Sequence, residues 1–109
     1  MMRQLLESAL EAARDAELCR NQLKSMPSGP VAEKHEARLK DRISRDEAIA
    51  DKAADALFGE RGEALTSIQR DVLFHRFVLG EPWKVVASQV GYSVRAAQNI
   101  SVAAMKTLG

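Results

Sequence analysis

Trp83-Lys84-Val85-Val86-Ala87-Ser88-Gln89-Val90-Gly91-Tyr92-Ser93-Val94-Arg95-Ala96-Ala97-Gln98-Asn99-Ile100 decides the reading of this chain. Two short helices that cross steeply through a tight turn need a small residue where they touch, and Ala87 supplies it. Four positions later the turn needs a residue that tolerates a left-handed backbone, and Gly91 supplies that. Val86, Val90 and Tyr92 offer the apolar wedge between the helices. Ala97 and Ile100 give the second helix its inward positions. These seven positions agree with a helix-turn-helix at fixed spacing, so the expected fold class is all-α.

Upstream, Thr66 or Ser67 is a good N-cap for a helix running from Ile68 to Leu79. That helix should turn Ile68, Val72, Phe74 or His75, and Leu79 inward. Gly80 stops it, Pro82 suits the first position of a helix from Trp83 to Val90, and Ser93 caps a last helix to about Leu108. Four of the five aromatics, Phe74, Phe77, Trp83 and Tyr92, fall within nineteen residues, which marks a core.

Before residue 60 the character changes. From Arg3 to Met26 no Gly or Pro intervenes, and Leu5, Ala9, Ala12, Ala16, Cys19, Leu23 and Met26 recur at spacings of four and three. That is a narrow helical stripe suited to a partner helix. Pro27-Ser28-Gly29-Pro30 ends it. A second helix is expected from Val31 to about Phe58, with a stripe of Leu39, Ile43, Ala50, Ala53 and Leu57 interrupted near Asp46 and Glu47. The expected organisation is therefore an antiparallel helical hairpin over 1–59 and a three-helix unit over 60–109. A hairpin with an alanine-dominated stripe buries little by itself, so a homodimer through the hairpin is expected.

The 109 residues carry 16 Lys/Arg and 15 Asp/Glu, a net charge of +1. Residues 1–59 hold ten basic and eleven acidic residues, whereas 60–109 hold six and four. Affinity for an acidic polymer should therefore reside in the second half. A lone Cys19 excludes an intrachain disulfide and reads as a small apolar residue. No run of 18 apolar residues or signal-peptide core occurs, so no membrane span and a cytoplasmic location are expected. His35 reads as a surface residue. No nucleophile–base pair, carboxylate pair, metal-ligand cluster or phosphate-binding glycine loop is recognisable, so neither enzyme activity, a metal nor another cofactor is expected.

The run Phe77-Val78-Leu79-Gly80-Glu81-Pro82-Trp83-Lys84-Val85-Val86-Ala87-Ser88-Gln89-Val90-Gly91-Tyr92-Ser93, with Ala104-Met105-Lys106-Thr107-Leu108 closing the last helix, resembles region 4 of bacterial sigma factors. It is closer to the small phage and prophage transcription regulators that carry such a domain, and the likeness covers about residues 64–109. The resemblance implies that the helix from Ser93 to Leu108 enters the major groove of double-stranded DNA. Arg95, Gln98 and Asn99, on one face at i, i+3 and i+4, are then the base readers, with Ala96 and Val102 alongside. Arg suits guanine, Gln and Asn suit adenine, and Val suits a thymine methyl. Ser93, Lys84, Arg76 and Lys106 are the expected phosphate contacts. Trp83 is expected to anchor the turn, and His75 to be partly buried and neutral. The sequence departs from the family at the start of the last helix, where Val94, Ala96 and Ala97 replace charged residues. That argues against a standard −35 promoter element as the target. A complete sigma factor is not expected either, since Phe58 is the only aromatic in 1–59. The alternatives are a module that binds RNA polymerase or another protein with little DNA contact, and a phage DNA-packaging adaptor.

Overall fold

The computed structural model describes residues 2–109, which form five α-helices and no strand. α1 is Met2–Lys24 and α2 is Pro30–Phe58, with Pro30 in the first turn where its missing N–H costs nothing. A short 3-10 turn, Glu60–Gly62, leads to α3, Ser67–Leu73. Thr66 and Gln69 start α3 as a reciprocal capping box: the Gln69 amide N–H donates to the Thr66 hydroxyl, and the Thr66 N–H donates to the Gln69 side chain. α4 is Trp83–Val90 and α5 is Val94–Leu108.

Between α3 and α4 the chain departs from the regular helix expected to Leu79. Phe74–Val78 form a π turn, in which the Leu79 N–H reaches back to Phe74 O. Residues five apart do not share a face of an α-helix. The wider turn brings Leu73 and Val78 to one side, and both are buried. Leu79, expected inward, is instead 49% exposed.

α1 and α2 run antiparallel, as three cross-pairs show. Arg20 meets Glu47 at 3.3 Å, Gln22 meets His35 at 3.3 Å, and Asp15 pairs with Arg42. His35 is therefore half-buried rather than free on the surface. The alanine stripe lets the two backbones approach, and Ala9, Ala12, Ala16 and Cys19 are buried along it. Bulk comes from elsewhere: Leu6, Leu39, Leu57 and Leu73 are fully buried, each contributing roughly 1.5–3 kcal/mol.

One apolar cluster joins the first and second halves of the chain. It contains Met2, Leu6 and Ala9 of α1, Ala53 and Leu57 of α2, then Leu65, Leu73, Val78, and Ala104 and Met105 of α5. The boundary placed at residues 59 and 60 thus runs through a shared core. The π turn and α5 pack on the hairpin through this cluster. Ala9, Ala12, Ala16 and Cys19 of the α1 stripe are buried within the chain, while Leu5, Leu23 and Met26 are half-buried.

The interruption of the α2 stripe also acquires a cause. Asp46 stands between Ile43 and Ala50, on the face turned to α1. Its Oδ2 is buried without a hydrogen-bond partner among the described residues, apart from a proton it can share with Asp15. Burial first, and then the bond to Asp15, push the Asp46 carboxyl up to about 6. Asp15 moves the other way, held down by the bond from Asp46 and by Arg42. A raised folded-state pKa means that Asp46 favours folding below the unfolded carboxylate value of 3.8 and loses that contribution as pH rises through about 6. Asp15 contributes above its unfolded value and loses its contribution only in stronger acid. Asp46→Asn keeps a donor toward Asp15 and removes the second charge. It is expected to raise stability above pH 7 by about 1 kcal/mol and to leave it unchanged near pH 4. Thermal melts of both proteins across that range measure the difference, and a constant offset at all pH values would contradict the shared-proton account.

Candidate nucleic-acid interface

α4 and α5 meet through a three-residue connection. Gly91 adopts φ 75° and ψ 29°, the left-handed conformation the spacing required. Its N–H and that of Tyr92 both donate to Ala87 O, at 3.0 and 3.1 Å, which closes the end of α4. Ala87 and Ala97 are buried where the helices cross, with Val86 beneath them. Ile100 is half-buried. Ser101, which the template did not mark as inward, is buried beside Ala97 and Ala104.

Ser93 caps α5: its hydroxyl oxygen accepts the Ala96 N–H at 3.1 Å. Its carbonyl accepts the Ala97 N–H at 2.9 Å. The Val94 and Arg95 amides remain unbonded at the helix start, next to the Ser93 O–H. Arg95, Gln98 and Asn99 all lie exposed on one face of α5, with no hydrogen bond or ion pair to the rest of the described chain. Val102 continues that face one turn on and is 56% exposed, and Val94 precedes it. Ala96 is half-buried at the edge of the face.

The expected phosphate contacts differ in their freedom. Lys84, in the first turn of α4, and Lys106, in the last turn of α5, are exposed and unpaired. Arg76 is not free. It is half-buried, its Nη1 donates to Glu81 O at 3.1 Å, and its guanidinium lies 4.8 Å from the centre of the Trp83 ring. This cation–π stack and hydrogen bond tie the π turn to the start of α4. Trp83 accordingly serves as the expected anchor. His75 is partly buried, as expected, but it faces a carboxylate. Glu81 can only accept, so the 2.5 Å contact places the hydrogen on His75 Nδ1.

Another anchor lies across the chain. Gly80 has φ 69°, and a Cβ there would come within 2.6 Å of the Ala13 Cβ of α1. The turn before α4 therefore rests directly on α1. This contact had no local signal in the sequence, because Ala13 lies outside the α1 stripe.

Charge along the chain offers a signal that half-chain totals hide. From Pro82 to Gly109 there are three basic side chains, Lys84, Arg95 and Lys106, and no Asp or Glu. The α4–α5 segment thus carries a net positive charge although the chain is nearly neutral. No described helix is long and apolar enough to cross a membrane.

Comparison of the chain with protein-family models, with curated proteins and with solved structures finds no match.

The two positive-φ glycines that flank α4, Gly80 and Gly91, can be tested against each other. A Cβ on Gly91 meets nothing within 4 Å, so substitution there costs only the left-handed backbone penalty, about 1 kcal/mol for alanine and 1–2 for valine. Gly80→Ala adds overlap with Ala13 and is expected to cost more, about 2–3 kcal/mol. Urea denaturation of the single variants ranks them. Equal costs would mean that Ala13 and Gly80 do not touch.

Proposed function

We propose that this chain is a sequence-specific DNA-binding transcription regulator whose α4–turn–α5 unit works as a helix-turn-helix. The proposal extends to a cytoplasmic protein of the phage or prophage regulator type, with α5 as the recognition helix in the major groove of double-stranded DNA. The observation that carries it is the uncommitted polar face of α5. Arg95, Gln98 and Asn99 stand exposed on the first turns of a helix capped by Ser93, in a segment, 82–109, that contains no Asp or Glu. The early turns of such a helix are those that reach base edges. Arg95 suits a guanine, Gln98 and Asn99 suit adenines, and Val102 suits a thymine methyl. Lys84, Lys106, the Ser93 hydroxyl and the first amides of α5 would position the backbone. Arg76 acts chiefly by holding Trp83, and so the angle of α4. Where two half-sites are read together, the proposal extends to a homodimer through the α1–α2 hairpin.

A second reading has its own observation. Val85, Tyr92 and Val94 are apolar and exposed around the same turn, with Tyr92 at 49%. Such a surface suits a module that docks on RNA polymerase or another protein, or an adaptor for phage DNA packaging, and uses DNA weakly.

Selection of bound fragments from random duplexes, followed by titration on the selected and a scrambled duplex, separates the readings. Arg95→Ala is expected to cost about 1–3 kcal/mol on the selected duplex and to relax preference at one base pair. Lys84→Ala should weaken both duplexes alike and flatten the salt dependence. If Arg95→Ala, Gln98→Ala and Asn99→Ala all leave affinity and preference unchanged, α5 is not a reader and the protein-docking function takes its place.

A further inference from the structure

We propose that Arg14, on α1, is part of the nucleic-acid surface: it holds a backbone phosphodiester beside the start of α4, together with Lys84 and the outer edge of the Arg76 guanidinium. This deepens the DNA-binding reading and rests on it. It also gives the N-terminal helix a direct part in binding.

The placement begins at Gly80. Because the Ala13 Cβ occupies the space a Gly80 side chain would take, α1 passes directly against the turn that leads into α4. Arg14 is the next residue of α1 and is exposed. Arg76 is fixed at the same turn by Glu81 O and the Trp83 ring. The two cations are near enough to oppose one another. The Arg76 guanidinium is made less basic chiefly by burial and, after that, by the field of Arg14.

No carboxylate relieves this convergence. Among the described residues Arg14 makes no ion pair or hydrogen bond. Glu11 and Glu17 flank it at i−3 and i+3 on α1 but neither closes a pair with it. Glu81 is engaged by His75. Two more features favour an anion at the same place. Pro82 gives α4 no side-chain cap, so the Trp83 and Lys84 amides stay unbonded at the positive end of the helix. Lys84 itself is exposed and unpaired. Each spare N–H group of the two guanidinium forks matches the geometry of phosphate oxygens. The site lies at the start of α4, and α4 of such a unit crosses the duplex backbone. A DNA phosphodiester is therefore the anion the surface fits.

The test uses the full chain with Arg14→Gln, Arg14→Lys and Lys24→Gln. Lys24 lies ten residues along α1, about 15 Å away. Affinity is measured by fluorescence anisotropy from 50 to 300 mM salt, on a selected duplex and a scrambled one. Arg14→Gln is expected to lower affinity roughly fivefold on both duplexes at low salt and to reduce the slope of log affinity against log salt by about 0.9, one phosphate contact. Arg14→Lys should restore the slope, Lys24→Gln should match the parent, and melting temperatures should be unchanged. An Arg14→Gln protein with parental slope and affinity overturns the proposal while leaving the reading of α5 intact. A loss confined to the selected duplex overturns it too, since a phosphate carries no sequence. A parent chain that binds neither duplex at any salt overturns both this contact and the DNA-binding function.

Discussion

The contact between Ala13 and Gly80 sets the position of everything that follows it. A hydrogen in place of a side chain, together with a positive φ, lets the backbone before α4 rest on α1. That seat matters because α4 is only eight residues long and starts without a side-chain cap. A helix of two turns has little stability of its own, so its direction has to come from tertiary contacts. Gly80 fixes its origin, the Arg76–Trp83 stack fixes its tilt, and the Gly91 turn passes the result on to α5.

The same economy explains the π turn. A regular helix from Ser67 to Leu79 would have placed Val78 and Leu73 on different faces, and one of them would have pointed at water. Widening the helix at Phe74–Val78 puts both into the cluster that includes Leu6, Leu57, Ala104 and Met105. It also carries His75 and Arg76 toward Glu81, where the side chain and the carbonyl of one residue are both engaged. A weaker helix geometry is thus offset by burial on one side and polar contacts on the other.

The helix ends were legible because they are written in residues with steric meaning. Pro30, Gly80, Pro82 and Gly91 mark them, and Thr66 and Ser93 cap as their types suggest. The exposure of Arg95, Gln98 and Asn99 followed from helical period alone. The π turn was not legible, since a 3.6-residue period was imposed where packing selected a wider one. An unbroken 3.6-residue period turns Leu79 inward, whereas the π turn leaves it exposed. Asp46 was visible as a gap in a stripe, but its meaning needed Asp15 opposite it. Arg76 appeared as a surface cation because a sequence does not show that Trp83 lies within 4.8 Å of it. The cluster that links the two halves was hidden for a similar reason: Met2 and Leu6 are far from Met105 in sequence, yet share its cluster.

Charge then limits how the proposed surface can work. Three basic side chains from Pro82 onward make few phosphate contacts, and each contact contributes only about 0.9 to the salt slope. Non-specific affinity of a single copy is therefore low, and base contacts worth about 1–3 kcal/mol each have to supply a large share of the binding. That demand is consistent with a face in which arginine, glutamine, asparagine and valine are all exposed and none is engaged by the rest of the chain. On the same proposal a cation on α1 would have an effect out of proportion to its number: with so few phosphate contacts, one more would change the electrostatic part of the affinity by a sizeable fraction. A near-neutral chain would in this way confine its proposed affinity to the α4–α5 end and the part of α1 beside it, leaving the mixed charges of the rest of α1 and α2 outside that surface.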